Sequence, residues 1–207
     1  MDIKLKDLLF EGMHLQIPDP EAVKLNYNVA LKAGRNTPFP YWSRVWPSAK
    51  ALCTYIIQHP NEFAHKSVME LGAGLALPSF MVAQFANSVE ASDYIPEAIA
   101  CISANIALNG LRNMTTRLLN WSHLLADEYP EVVLLSDINY EPSSFEALYQ
   151  LIVQLIEAGV CIYLATPQRL QAALFVHRIH PYIFSATHTD IEMDNETTTI
   201  SIFQLQK

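Results

Sequence analysis

The chain has 207 residues, 51% of them hydrophobic and 16% charged, with a formal net charge of -8 at neutral pH. That length and apolar content suit one domain with a substantial core. The acidic balance comes without a basic stripe or tail, which argues against a nucleic-acid partner, and no apolar run approaches the span of a bilayer.

Residues 1–40, with Ile17-Pro-Asp-Pro20 and Asn36-Thr-Pro-Phe-Pro40, read as a mostly irregular N-terminal elaboration of the single domain, ahead of its main pattern over 41–207, and able to cover either the site, as a lid, or a partner. The opening residues mix charges and lack a secretory apolar core. Cys53, Cys101 and Cys161 are scattered inside apolar segments, as expected of buried thiols in a reducing compartment. A cytoplasmic location is the expectation.

From Ser48 onward, apolar runs alternate with helical periodicity. Strands are expected at 67–71, 88–92, 115–119, 132–136 and 160–165, and helices at 48–58, 78–86, 96–109, 143–158 and 167–178. Two consecutive strand-like runs, 182–190 and 197–205, flank a turn at Met193-Asp-Asn-Glu196. The pattern predicts a Rossmann-like, doubly wound α/β sheet of seven strands, mostly parallel, with an antiparallel C-terminal hairpin.

The run Val68-Met-Glu-Leu-Gly-Ala-Gly-Leu-Ala-Leu-Pro78 carries most of the chemistry. Glu70 ends a short apolar stretch, and Gly72 and Gly74 allow a ligand to approach the main chain. Asp93 ends the next apolar run, where nucleotide-binding α/β units set a carboxylate against ribose hydroxyls. Leu77 stands where a dinucleotide fingerprint needs its third glycine, and no Gly-Lys-Ser or Gly-Lys-Thr wraps a triphosphate. A nucleoside without phosphates fits what remains, with S-adenosylmethionine the common one. A plain tight turn between strand and helix explains the glycines equally well.

Further along come Asn105-Ile-Ala-Leu-Asn109, Asn120-Trp121 and Asp137-Ile-Asn-Tyr140, and upstream lies Trp46-Pro47. In this order the motifs resemble the seven-strand protein-lysine methyltransferases related to the calmodulin, valosin-containing-protein and electron-transfer-flavoprotein enzymes. Ala76 and Asn120 depart from the pattern, standing where many relatives have a glycine and an acid.

The resemblance implies an S-adenosylmethionine-dependent methyltransferase acting on a protein lysine by in-line displacement. It implies that Gly72 and Gly74 line the methionine part, Asp93 takes the ribose, Asn120 and Trp121 flank the adenine, and Trp46 closes the cofactor from the other side. Glu70 belongs to the same rim. Asp137 and Tyr140 are the residues expected to orient the acceptor.

Other readings carry weight. Trp46 and Trp121 also suit a core, Glu70 an ion pair, and Asp137 a loop cap. A small-molecule N- or O-methyltransferase, or a non-catalytic interaction module, would use the same fold. His177 and His180 have no third ligand near them in sequence, so no metal is expected, and no Gly-x-Ser-x-Gly elbow is present.

Overall fold

A computed structural model describes residues 4–35, 39–139, 142–169 and 173–207. Residues 5–32 are regular rather than irregular: strands β1 (Leu5–Phe10) and β2 (Met13–Pro18) form an antiparallel hairpin, followed by helix α1 (Pro20–Lys32). The physical signals are local. Glu11 and Gly12 both take positive φ, the tight turn that matches strand twist. Asp19 accepts hydrogen bonds from the Glu21 and Ala22 amides, with Pro20 in the first helical turn.

The central unit runs α2 (Pro47–Gln58), β3 (Ser67–Leu71), α3 (Leu77–Val82), β4 (Ser88–Asp93), α4 (Pro96–Asn109), β5 (Met114–Leu118), β6 (Val132–Ser136), α5 (Phe145–Glu157), β7 (Cys161–Pro167) and α6 (Ala173–Ile179). Strands β8 (Ile183–Met193) and β9 (Glu196–Leu205) complete it. The seven strands lie in the order β5-β4-β3-β6-β7-β9-β8. Strands β3 to β7 pair in parallel, and β9 runs antiparallel to both neighbours. Asp194 and Asn195, both at positive φ, form the turn before β9.

One expected element differs. Strand β7 extends through Pro167, and the following helix spans Ala173–Ile179 among the described residues. A proline-initiated helix was expected there, but Thr166 and Pro167 instead pair with Ser201 and Ile200 of β9, continuing the ladder.

Helices cover both faces, and period-2 alternation in the strands divides the core. Val132 and Leu134 of β6 face a cluster built from α2, α3 and Ile102, which also contains Leu15 and Ile17 of β2. Val133 and Leu135 face a second cluster built from α5, Phe175 and Ile179. The N-terminal hairpin therefore shares the main core.

The hairpin is held by side chains of α4. Asn105 accepts from the Gln16 amide at 2.7 Å and donates to its carbonyl at 2.9 Å, and Asn109 does the same for His14 at 3.2 and 2.8 Å. Two asparagines one helical turn apart thus act as a substitute strand for the free edge of β2.

Candidate active site

The sheet changes direction at β3: the chain winds outward through β4 and β5, then returns to place β6 on the other side. Ligands of open α/β sheets bind beyond the carboxyl ends of the strands at such a switch point. A cavity of about 970 Å³ lies there, lined by Gly72, Ala73 and Gly74 after β3, Asp93, Tyr94 and Ile95 after β4, and Ser136, Asp137 and Ile138 after β6.

The floor is built by the glycine turn. Gly72 has φ +65° and Gly74 φ +56°, conformations that resist a side chain. A Cβ on Gly74 would stand 3.2 Å from the Trp42 carbonyl oxygen, and one on Gly72 3.3 Å from Ile138 Cδ1. The missing side chains leave the peptide edge open, which fits a close-lying ligand. Ala76 also takes a left-handed conformation, φ 56°, while fully buried.

Asp93 fixes this turn. Its Oδ2 accepts from the Gly74 amide at 2.8 Å and its Oδ1 from the Ile95 amide at 2.9 Å. Burial raises its pKa, opposed by those backbone donors and that of Tyr94. Each oxygen keeps a lone pair for a further donor such as a ribose hydroxyl.

Glu70 lies beneath the turn and outside the cavity lining. It is 1% exposed, and its Oε2 accepts from the Ser79 amide at 3.0 Å and the Ser79 hydroxyl at 2.5 Å, holding the first turn of α3. Loss of water lifts its pKa to about 8, and Oε1 has no hydrogen-bond partner among the described residues.

The opposite wall comes from the N-terminal segment. Val23, Asn26, Tyr27 and Ala30, at i, i+3, i+4 and i+7 on α1, all line the cavity. From Tyr27 a chain of rings continues through Phe39 and Tyr41 to Trp46, with centroids 5.2, 5.0 and 6.0 Å apart. Trp46 lines the cavity, donates to the Tyr41 carbonyl at 3.1 Å, and carries the Arg44 guanidinium 5.1 Å from its ring centroid.

Asn120 and Trp121 are absent from the lining. Asn120 caps its own turn, accepting from the Ser122 amide at 3.1 Å and hydroxyl at 2.8 Å. Trp121 packs against the second core cluster. Tyr140 lies outside the described residues.

Asp137 lines the cavity, is 7% exposed and has φ 54°, a strained value for a residue with a side chain. Its amide donates to the Ala165 carbonyl at 2.9 Å, pinning it to β7. Its carboxylate receives a two-pronged hydrogen bond from Arg169, at 2.8 and 3.2 Å. Desolvation raises its pKa, partly offset by the Arg169 charge. The sequence reading missed Arg169. Its only signal was a cation just past an apolar strand, and nothing local connects it with Asp137.

A glycine-floored cavity with a carboxylate at each side suits a nucleoside donor and a polar acceptor, and comparison with known proteins agrees. The family profile described as lysine methyltransferase matches residues 29–180, most of the chain. The chain belongs to the lysine methyltransferase family. This lysine methyltransferase family member is accordingly an S-adenosylmethionine-dependent enzyme, and the cavity floor fits that cofactor.

The human histone-arginine methyltransferase METTL23 is 28% identical over 135 residues, 62% of this chain and 71% of that protein. The match covers 51% and 45% of the rat and mouse counterparts. Mouse EEF1A lysine methyltransferase 3 is 29% identical over 169 residues, 78% of this chain and 71% of that protein. Among solved structures, the N-methyltransferase NodS from Bradyrhizobium japonicum, in complex with S-adenosyl-L-homocysteine, shares the fold. Its TM-score is 0.63 at 9% identity, over 89% of this chain and 99% of that one.

Proposed function

We propose that this family member methylates a lysine side chain of a protein, with Asp137 orienting the acceptor amine in the cavity. One observation carries this reading: a buried carboxylate beside the cofactor-sized cavity that already binds a cation. The comparisons support a protein acceptor, since both METTL23 and EEF1A lysine methyltransferase 3 are named for protein substrates.

When bound, S-adenosylmethionine supplies a methyl group on a positively charged sulfur, open to in-line displacement. Gly72 and Gly74 would hold its methionine part, Asp93 its ribose, and Trp46 would close over it; Tyr94 and Ile95, which line the cavity, would stand on the adenine side. Alignment by such contacts contributes up to about 7–11 kcal/mol in favourable cases. Freeing the lone pair of a lysine amine near neutrality costs roughly 4–5 kcal/mol, from an ordinary pKa of about 10.4. Alignment therefore suffices, with Asp137 fixing the amine rather than serving as a strong base. The α1 helix acts as the lid.

Replacing Asp137 with Ala should abolish methyl transfer while leaving cofactor affinity within a few-fold, measured by calorimetric titration and radiolabel transfer to size-fractionated lysate. Wild-type turnover in that variant would remove Asp137 from the mechanism, and label found only in small molecules would contradict a protein acceptor. A protein arginine is the second reading, favoured by the two-pronged fit of a guanidinium on Asp137. Identifying the labelled residue separates the two.

A further inference from the structure

Arg169 occupies the place that the acceptor reading reserves for substrate. Its guanidinium takes one lone pair on each Asp137 oxygen, and among the described residues that carboxylate has no other hydrogen-bond partner. The pair is asymmetric: the Arg169 side chain is 39% exposed and Asp137 7%. Arg169 can move into water at little cost, whereas Asp137 cannot. A buried carboxylate that loses its counter-ion with nothing in exchange is strongly disfavoured, so Arg169 leaves readily only when another cation arrives.

The surroundings give that exchange a direction. Arg169 lines the large cavity and also a second one of about 480 Å³, bounded by Pro167, Ala173, Val176, His188 and Phe203, and among the described residues it is the one the two share. On the other side the large cavity is walled by α1 and the aromatic chain from Phe39 to Trp46. The guanidinium therefore stands between the cofactor-sized cavity and an outer groove with an apolar wall, suited to the methylene stem of a long cationic side chain.

We propose that Arg169 is the gate of the acceptor site: a resident cation that holds Asp137 until the cationic end of the acceptor side chain, arriving through the outer groove, replaces it. This rests on Asp137 being the acceptor residue. The gate also acts as a filter. A cationic acceptor exchanges charge for charge, while a neutral one of the same length leaves Asp137 unpaired and is rejected. Arg169 is thus a specificity-determining residue, and it lowers acceptor affinity by the fraction of time it is closed.

The test uses the full chain and n-butylammonium as the probe, its binding followed by the fluorescence of Trp42 and Trp46, which line the cavity. Because opening the gate without exchange leaves Asp137 unpaired, Arg169→Ala and Arg169→Gln should each bind the probe at least about tenfold more tightly than wild type. Arg169→Lys, which returns a resident cation, should move affinity back toward wild type, and butan-1-ol should not bind any of the four proteins measurably. Val176→Trp, filling the outer groove, should slow probe association without altering cofactor binding. Equal or weaker probe binding in both Arg169→Ala and Arg169→Gln would overturn the gate, as would tight binding of butan-1-ol to wild type; an unchanged association rate in Val176→Trp would overturn the route. Failure of the functional reading is distinct: it shows as absent methyl transfer to protein whatever the probe does.

Discussion

Asn105 pairs with Gln16 as one strand pairs with another, its amide oxygen on the Gln16 N–H and its amide nitrogen on the Gln16 carbonyl. Because α1 follows β2 directly and lines the cavity, this contact fixes the wall of the active site from the outside. Asn105→Ala removes both bonds, leaving the Gln16 amide unmatched and its carbonyl with only the Cys101 thiol at 3.5 Å. It should destabilise the protein by about 2 kcal/mol, read from denaturant unfolding. Amide exchange should accelerate over residues 5–18, and cofactor affinity should fall. Unchanged exchange there would show that apolar packing alone holds the hairpin.

Glu70 should make stability depend on pH in the direction opposite to most carboxylates. Its folded pKa of about 8 exceeds the unfolded 4.5, so the folded state keeps a proton that the unfolded chain releases. The contribution is full below the ordinary carboxylate range and is lost as pH rises through about 8. Relative to Glu70→Gln, wild type should lose about 1.4 kcal/mol per pH unit across that window. Parallel stability curves for the two proteins from pH 5 to 8 would exclude a proton on Glu70.

Gly74 and Gly110 separate backbone strain from site closure. Both have positive φ, but a Cβ on Gly110 meets nothing within 4 Å, while one on Gly74 meets the Trp42 carbonyl. Either alanine substitution should cost about 1–2 kcal/mol of stability. Only Gly74→Ala should weaken S-adenosylmethionine binding, by about tenfold or roughly 1.4 kcal/mol, in calorimetric titration. An equal loss of affinity in both would mean that the effect travels through stability.

Asn139, 1% exposed, has neither its amide oxygen nor its amide nitrogen hydrogen-bonded among the described residues. Each unmatched polar atom carries a desolvation penalty that a leucine of similar size avoids. Asn139→Leu should therefore raise stability by about 1–3 kcal/mol, measured by thermal and denaturant unfolding. A destabilised variant would show that the amide has a role beyond packing.

The sheet, its C-terminal hairpin and the glycine turn with its acid are legible from residue order alone, because they rest on short-range periodicity and on backbone conformations few residues tolerate. The stripe Val23, Asn26, Tyr27, Ala30 was equally present in the sequence, though a helix was not expected between the two Pro-rich segments. Tertiary structure decided what no local pattern holds. The register Ser136↔Ala165 between β6 and β7 brings the loop carrying Asp137 beside the one carrying Arg169. Folding also turns Glu70 inward to Ser79 and Asn120 onto its own turn, away from the cavity. Residue type and spacing set which groups can bind or strain the chain. Which of them meet depends on strand order and on which side of the backbone each one leaves, and long-range pairing fixes both.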